Sequence, residues 1–161
     1  MDEYGPSTYG DRIAEVYDEW YPESSRAGDV DAAVSFLREL AAAGPALELG
    51  IGTGRVAVPL HREGVEVHGI DASEAMLARL RTKEGAASIA TSVADFRDFE
   101  LVPRFKLAYV VFNTFFALPT QDDQVMCFQA VARHLTADGV FVIEAFVPDV
   151  SRFDRGQRVS A

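Results

Sequence analysis

Apolar and polar residues are arranged along the chain in two regular patterns. Short runs of apolar residues, many of them β-branched, predict strands at residues 46–49, 65–70, 88–93, 106–112 and 140–146. In the segments before and between these runs, apolar residues recur every three or four positions and predict helices. Strands that alternate with helices favour an α/β fold with a doubly wound, Rossmann-like parallel sheet, for which we expect the strand order 3-2-1-4-5.

Aromatic residues at helical spacing mark the N-terminal segment. Residues 9–21 predict one amphipathic helix, which Pro22 ends. Ile13, Val16 and Trp20 are expected to pack against the sheet. The tyrosine hydroxyls of the same segment need polar partners if they are covered, so the helix is also a candidate lid over a polar ligand.

Capping and helix-breaking residues set the ends of the next two helices. Asp29 is a suitable N-cap for the helix before the first strand, and Gly44 and Pro45 end that helix. The helix after the first strand is expected to begin near Thr53. Pro59 then lies inside it and predicts a kink, because an interior proline removes a backbone hydrogen bond.

A glycine-rich turn at residues 50–54 separates the first strand from its helix. Strand, glycine turn and helix N-terminus form a nucleotide pocket in open α/β sheets. A dinucleotide site needs a third glycine where this chain has Arg55, and no Gly-Lys-Ser/Thr sequence of a phosphate loop follows. The turn therefore suits a nucleoside without a phosphate, and Glu48 just before it suits an ammonium group. A turn that merely joins strand to helix is the alternative.

Polar residues also follow the second and third predicted strands. Asp71 stands about 20 residues beyond the glycine turn, where a carboxylate can accept hydrogen bonds from both ribose hydroxyls. The other possible role, capping the next helix, is already filled by Ser73. Asp95 and Phe96 follow the third strand, and the carboxyl ends of parallel strands meet at one edge of the sheet.

The composition limits the ligands and partners. Hydrophobic residues make up 48% of the 161 residues and charged residues 25%, as in soluble globular proteins. A formal net charge of −10 would repel a phosphate backbone, so no nucleic-acid partner is expected. No apolar run is long enough to span a bilayer, no signal peptide is visible, and the single cysteine, Cys127, gives neither a disulfide nor a metal site. We therefore expect a cytoplasmic protein without a metal.

The sequence from Glu48 to Gly54 resembles the first motif, E/D-x-G-x-G-x-G, of class I S-adenosylmethionine-dependent methyltransferases, and residues 9–146 resemble the small-molecule type of that family. The resemblance implies S-adenosylmethionine as the cofactor and a small molecule as the methyl acceptor. It also implies a set of cofactor-binding residues: Tyr17, Arg26, Glu48, Gly50, Ile51, Gly52, Gly54, Asp71, Ala72, Met76, Asp95, Phe96 and Asn113.

The resemblance assigns roles to residues of the N-terminal lid. Tyr17 would touch the cofactor, and Tyr9 would face the acceptor as the one candidate catalytic residue. Arg26 would bind the cofactor carboxylate. The alternative is that Arg26 is simply exposed to solvent. In the loop after the fourth strand, Ala117 stands about where some amino-sugar methyltransferases have a histidine. This difference argues against a catalytic base in that loop.

Further roles concern the adenine and the fifth strand. Met76 would lie against the adenine face or belong to the core. Asp95 would accept a hydrogen bond from the adenine amino group, and Phe96 would cover the ring. Glu144 near the end of the fifth strand is either a functional group or a residue in water.

We expect a single domain with lid helices over residues 1–44, a cofactor-binding core over 45–147 and a polar tail over 148–161. Full-length class I methyltransferases continue beyond the fifth strand with a further helix and an antiparallel strand pair. These are missing here, which suggests a truncated or naturally short form. An uncovered fifth strand would leave an apolar edge, through which we expect self-association.

Three hypotheses for function follow. The leading one is methyl transfer from S-adenosylmethionine to a nitrogen or oxygen nucleophile of a small molecule. The second is a module that binds the cofactor without turnover because the chain is short. The third is a nicotinamide-dependent oxidoreductase, against which Arg55 in place of the third glycine argues.

Overall fold

The computed structural model describes residues 5–22 and 27–147. Within these ranges, parallel strands form one sheet in the order β3-β2-β1-β4-β5. The strands are β1 Ala46–Leu49, β2 Val67–Asp71, β3 Ala90–Val93, β4 Phe105–Val110 and β5 Leu135–Ile143. The predicted fold class and strand order are confirmed. Arg26 and the tail 148–161 lie outside the described residues.

Helices and a short 3-10 turn connect the strands. Their bounds are α1 Thr8–Ile13, α2 Tyr17–Trp20, α3 Ala27–Ala41, α4 Ala57–Arg62, α5 Glu74–Arg81, the 3-10 helix Thr114–Ala117 and α6 Gln121–His134. Ser73 caps α5 by accepting a hydrogen bond from the Met76 N–H at 3.2 Å, as the sequence predicts. None of the helices in the described ranges is both long and apolar enough to cross a bilayer.

Each face of the sheet packs on its own apolar cluster. Side chains of α3, α4 and α5 cover one face, where Leu37, Leu60 and Leu77 are fully buried. On the opposite face, α6 turns Cys127 and Val131 towards β1 and β4. The central strand β1 is buried along its whole length. Its carboxyl end, where the glycine turn begins, is therefore held rigidly between two layers.

The N-terminal lid differs from its prediction. The expected single helix over 9–21 is wrong, because residues 14–16 form a turn between α1 and α2. In this turn the Glu15 carbonyl accepts a hydrogen bond from Arg79 at 2.8 Å. Trp20 is 62% exposed rather than packed on the sheet. Contacts with α5 decide this shape, and the periodicity of the segment cannot reveal them.

Two helix starts also differ from their predictions. α3 begins at Ala27, so Asp29 lies in its first turn and not at its N-cap. In the first turn, its negative charge still interacts favourably with the helix dipole. α4 begins at Ala57, which places Pro59 in the first turn, where no helical hydrogen bond needs its missing N–H. The predicted kink is therefore wrong.

Candidate functional site

The predicted site residues of the core lie at the carboxyl edge of the sheet. Glu48 is the second-last residue of β1. Asp71 is the last residue of β2, where it is in register with Val93 of β3. Leu49 pairs with Ile70, so the glycine turn begins beside the end of β2. The parallel sheet thus brings together residues that are more than 20 positions apart in the sequence.

The glycine turn is closed by backbone contacts with β2. The N–H groups of Gly50 and Ile51 donate to the Ile70 carbonyl at 2.8 and 3.0 Å. Gly52 has a φ of +55°, and a Cβ there would meet nothing nearer than 4.0 Å. The backbone at Gly52 is therefore open to a ligand, and its conformation favours glycine.

The other residues of the turn serve packing. A Cβ at Gly54 would lie 2.8 Å from Leu80, so this glycine lets α5 approach the turn. The Ile51 side chain is 3% exposed and faces Gly69 of β2. Any contact of Ile51 with a ligand would thus have to use its backbone, which narrows the role that the sequence resemblance implies.

Asp71 ties β2 to the glycine turn. Its Oδ2 accepts a hydrogen bond from the Gly52 N–H at 2.8 Å, and its Oδ1 accepts one from the Ser73 N–H at 2.8 Å. Burial raises the pKa of Asp71, while these backbone donors work in the opposite direction. Each carboxylate oxygen has a second lone pair, so Asp71 keeps acceptor capacity beyond these two hydrogen bonds. Asp71 and the adjacent Ala72 are both partly exposed.

Glu48 is paired in the interior. Its Oε2 accepts a hydrogen bond from the Tyr109 hydroxyl at 3.0 Å, and both side chains are buried. Burial raises the pKa of Glu48 to about 8, because a charged carboxylate loses its hydration there. At neutral pH, the neutral form of Glu48 therefore predominates.

Tyr17, Arg55 and Phe112 form the wall of the cleft above the turn. The Arg55 Nη2 donates to the Tyr17 hydroxyl at 3.0 Å, and the Arg55 guanidinium lies 4.1 Å from the centre of the Phe112 ring. Together with Glu48 and the turn they enclose a cavity of about 30 Å³. This is room for about one water molecule, so a larger ligand must displace part of this wall.

Polar contacts fasten the lid to the core. The Thr53 hydroxyl donates to Asp18 at 2.7 Å, and Lys83 donates to Asp18 at 3.0 Å. Asp11 accepts a hydrogen bond from the Ser73 hydroxyl at 2.7 Å. The lid is thus held on both the glycine turn and α5.

Tyr9 and Met76 lie where α1 meets α5. Tyr9 is 52% exposed, and the neighbouring Gly10 is so close to α5 that a Cβ there would lie 2.6 Å from the Ser73 Cβ. Met76 is 3% exposed and approaches the same glycine. Its burial favours the core role over the adenine contact, because α1 would have to move before a ligand could reach the thioether.

Asp95 forms hydrogen bonds with Arg97 in the same loop. Its Oδ2 accepts hydrogen bonds from the Arg97 Nε and Nη2 at 2.8 and 2.6 Å, and Arg97 also bonds to Asp123 at 3.2 Å. Phe96 beside it is partly exposed and comes within 4.0 Å of a Cβ placed at Gly50. Phe96 therefore lies at the turn. Asp95 has less acceptor capacity for an adenine than the sequence suggests, and its role stays a prediction.

The loop after β4 is shaped by residues after β5. Phe112 and Asn113 both have positive φ values, 54° and 65°, which is unfavourable for a side chain as bulky as phenylalanine. Glu144 accepts a hydrogen bond from the Phe112 N–H at 2.9 Å, and the Asn113 side chain accepts one from the Phe146 N–H. Glu144 thus has a structural task, which the sequence left undecided. Asn113 holds the loop that forms the cleft wall.

The histidines have structural partners away from the cleft. His134 is buried, donates from Nδ1 to the Ala130 carbonyl at 2.7 Å and accepts at Nε2 from the Leu101 N–H at 3.0 Å. His61 lies between the Val65 carbonyl and the Ser88 hydroxyl, at 2.9 and 2.7 Å. Among the described residues, no cluster of histidine, cysteine or acidic side chains could hold a metal ion.

Sequence reasoning missed four residues of the site: Asp18, Thr53, Lys83 and Tyr109. Arg55 was used only to argue against a dinucleotide. Asp18 offered one signal, since an acidic residue on an aromatic helical stripe needs a partner near the sheet. Lys83 and Tyr109 offered none, because nothing local shows what a lysine at a helix end or a tyrosine in a strand will contact.

The known proteins that this chain resembles are all described as methyltransferases. Residues 46–139 match the protein family described as methyltransferase domain. The chain is similar to the structure of the CcbJ methyltransferase from Streptomyces caelestis, with 41% identity and a TM-score of 0.79 over 87% of this chain and 58% of that one.

Two further relatives are more distant. The glycopeptide N-methyltransferase MtfA complexed with S-adenosyl-L-homocysteine is 26% identical, with a TM-score of 0.60 over 68% of this chain and 47% of that one. The putative methyltransferase YqeM of Bacillus subtilis is 28% identical over an alignment of 127 positions, which covers 73% of this chain and 51% of that protein. The chain thus spans about half the length of the curated relative that it matches.

Proposed function

We propose that this chain, which belongs to the methyltransferase domain family, transfers a methyl group from S-adenosylmethionine to a nitrogen or oxygen atom of a small molecule. The class I fold and the S-adenosylmethionine cofactor agree with the strand order 3-2-1-4-5 and with the relatives of known structure. Because the relatives are longer, transfer by this chain and the nature of its acceptor are the proposed parts.

One structural relationship supports the proposal most strongly. The Asp71 carboxylate accepts a hydrogen bond from the Gly52 N–H at 2.8 Å, so the acid at the end of β2 and the open backbone at Gly52 form one unit. A ribose placed over Gly52 would meet the remaining acceptor capacity of Asp71. A turn that merely joined β1 to α4 would not need this acid.

The cleft also fits the amino-acid part of the cofactor. Glu48 is an acceptor for an ammonium group, and the Arg55 Nε is a buried donor without a hydrogen-bond partner. An unpaired buried donor is costly unless a ligand completes it. The residues present thus match a ligand with one cationic and one anionic end.

The residues of this chain bind, orient and exclude water. S-adenosylmethionine supplies a sulfonium that makes its methyl group electrophilic, so the protein mainly needs to align donor and acceptor. Tyr17 and the lid shield the glycine turn, and the loop at Phe112 shapes the side of the cleft. An amine acceptor can lose its proton to water. A hydroxyl acceptor requires a base, and Tyr9 on the half-exposed face of α1 is the candidate for that role.

The acceptor class is supported by the relatives. MtfA is named as a glycopeptide N-methyltransferase, and the chain is 26% identical to it. We extend this to a small-molecule acceptor for the present chain, with no nucleic-acid substrate because of the net charge of −10. A Tyr9→Phe variant with unchanged turnover would remove Tyr9 from the proposed mechanism.

Calorimetric titration tests the cofactor site directly. The wild-type chain should bind S-adenosylhomocysteine and show no heat with NAD. Asp71→Ala should weaken binding about tenfold to hundredfold, as expected for hydrogen bonds to a charged acceptor. Asp71→Asn should lose less, because one acceptor oxygen can still hold Gly52.

Glu39→Ala, a change on the exposed side of α3, is the matched control and should bind normally. Unchanged affinity in Asp71→Ala would contradict the ribose role. Binding without turnover on any amine or hydroxyl acceptor would favour the second hypothesis, a cofactor-binding module.

Self-association remains part of the proposal. β5 is an edge strand of the described sheet, and Val140 on it is exposed. Phe146 and Val147 just beyond it are also exposed. Unpaired strand edges and apolar surface favour association. A light-scattering mass equal to one chain at high concentration would contradict it.

A further inference from the structure

Three polar side chains form a closed cluster beside the cleft. The Asp18 carboxylate accepts a hydrogen bond from the Thr53 hydroxyl at 2.7 Å and one from the Lys83 ammonium at 3.0 Å. The Lys83 ammonium also donates to the Thr53 oxygen at 3.2 Å. This cluster, which we call the latch, joins α2 to the glycine turn and to the segment between α5 and β3.

α2 is held in place by polar contacts rather than by full burial. None of its four residues is buried. The side chains of Asp18 and Lys83 are 39% and 22% exposed, so their ion pair contributes only modestly to stability. An element that is attached in this way opens at a low free-energy cost. We therefore expect α2 to open while the rest of the domain stays folded.

Widening the cleft requires α2 to move. Tyr17, the neighbour of Asp18, lines the cavity of about 30 Å³ at the glycine turn, which has room for about one water molecule. The Arg55 guanidinium forms another part of this wall and lies 5.7 and 5.4 Å from the ring centres of Tyr17 and Tyr21. Since these rings pack on Arg55, the lid side of the wall cannot move without shifting α2. We therefore expect a nucleoside to pass when the latch is open.

The latch lies outside the space that a ligand fills. Asp18 and Lys83 do not line the cavity. Thr53 lines it, but its side chain is buried and its hydroxyl donates to Asp18. The same hydrogen bonds can therefore form over an empty cleft and over an occupied one. A contact that stabilises both states equally leaves the affinity unchanged and slows entry and exit by the same factor.

We infer that Lys83 is a gating residue, which sets the rates at which S-adenosylmethionine enters and leaves the cleft by holding Asp18 of the lid. The inference rests on the proposed function and deepens it, because it adds control of access to a site whose contacts it leaves unchanged. Lid opening limits the turnover of many enzymes, since product release waits for it. In this chain, release of S-adenosylhomocysteine would wait for the latch.

Two other roles of the latch predict different kinetics. If the latch only stabilises the fold, its removal lowers thermal stability and leaves both rate constants of binding unchanged. If it closes only over a bound ligand, its removal raises the dissociation rate constant alone and weakens binding. A gate differs from both, because its removal raises the association and dissociation rate constants together.

Rapid mixing with S-adenosylhomocysteine separates these roles. The single tryptophan, Trp20, is exposed on α2, so its fluorescence reports on the lid. The dependence of the observed rate on ligand concentration gives both rate constants. Lys83→Met should raise both about two- to fivefold, as expected for a partly exposed ion pair, and leave the dissociation constant unchanged within about twofold. Lys83→Arg, which keeps the charge, should change the rate constants less.

Arg81→Met is the matched control. Arg81 is the last residue of α5 and bonds to Glu74 on the exposed surface of the same helix. This variant should bind with wild-type rate constants. Asp18→Asn, which removes the other partner of the ion pair, should reproduce the effect of Lys83→Met. Thermal unfolding without ligand should show that each variant is folded.

Each result decides for or against the gate. Unchanged rate constants in both latch variants, or faster dissociation alone, would overturn the inference and leave the proposed function intact. Faster association alone would also overturn it, since the latch would then oppose binding itself. A wild-type chain that does not bind S-adenosylhomocysteine would contradict the proposed function and the inference together.

Discussion

The Tyr109 hydroxyl donates a hydrogen bond to the Glu48 carboxylate at 3.0 Å, between two central strands that exclude water. Glu48 and Tyr109 are in register on β1 and β4, so the sheet itself sets this distance. The hydrogen bond satisfies one oxygen of an acid whose burial is otherwise costly. The acid of the motif thus depends on a strand about 60 residues later, which has consequences for stability.

Glu48→Gln should change how stability depends on pH. Burial raises the pKa of Glu48 from 4.5 to about 8, so the folded chain binds an extra proton between these pH values and wild-type stability falls as the pH rises through them. Glutamine does not titrate, so the Glu48→Gln variant does not lose stability in this way. The variant should gain on the order of 3 kcal/mol relative to wild type between pH 5 and pH 9.

Chemical unfolding at pH 5, 7 and 9 measures this gain. Glu39→Gln, on the exposed face of α3, should run parallel to wild type throughout. A constant difference between Glu48→Gln and wild type across the pH range would contradict the raised pKa.

Gly10→Ala should displace α1 from α5. Alanine normally favours a helix by about 1 kcal/mol over glycine. Here its Cβ would lie 2.6 Å from the Ser73 Cβ, so overpacking of about 1–3 kcal/mol should dominate. Hydrogen exchange should show lost protection over residues 8–13 with a small change in global stability. Gly5→Ala is the matched control, since its nearest neighbour would be at an ordinary 3.9 Å. Increased protection in Gly10→Ala would contradict the close contact.

Asp18→Asn should loosen the lid. Although burial acts to raise it, hydrogen bonds from Thr53 and Lys83 hold the pKa of Asp18 below its ordinary value. Its contribution is present above the unfolded pKa of 3.8 and is lost as the pH falls through the folded value. Because the Asp18–Lys83 pair is partly exposed, we expect Asp18→Asn to lower the free energy of unfolding by about 0.5–1 kcal/mol.

A double-mutant cycle of Asp18→Asn with Lys83→Met measures the coupling by chemical unfolding at pH 7. The double variant should be about as stable as the weaker single variant. Strict additivity would show that the contact contributes nothing.

Cys127 should resist thiol reagents in the folded chain. It is fully buried on α6, and burial raises its pKa to about 12, so almost no reactive thiolate forms at pH 8. Colour development with an aromatic disulfide reagent should be slow in buffer and fast in urea. Ala78→Cys on the exposed face of α5 provides the comparison and should react at once. Rapid reaction of the wild-type chain in buffer would contradict the packing of α6 on the sheet.

Patterns confined to neighbouring residues were sufficient for the fold class and strand order, and they place a candidate site at the glycine turn, which stays a prediction. The apolar run of Ala46–Leu49 was predicted with its correct bounds, because a buried central strand leaves little room for polar residues. Ser73 was identified as an N-cap, since capping depends on residues three positions away. The glycine spacing and Asp71 predict where a nucleoside would bind, and this stays a prediction.

Long-range contacts decided the features that were wrong or left open. The lid turns at residues 14–16 because α5 bonds to it there, and Met76 is buried because Gly10 lies against it. Glu144 remained undecided in the sequence because its donor, the Phe112 N–H, belongs to the loop after β4, about 30 residues earlier. Such partners are set by the packing of elements that are distant in the sequence.

The sequence by itself determined the order of strands and helices, the turn at Gly52 and the acidic residues near the carboxyl ends of β1 and β2. These depend on backbone propensity and on hydrophobic spacing, which are local properties. Tertiary structure alone decided that Tyr109 satisfies Glu48, that Lys83 and Thr53 hold Asp18, and that Arg55 lies among aromatic rings with an unpaired donor. The physical reason is that desolvation and hydrogen-bond partnership arise only when separate elements close around a side chain.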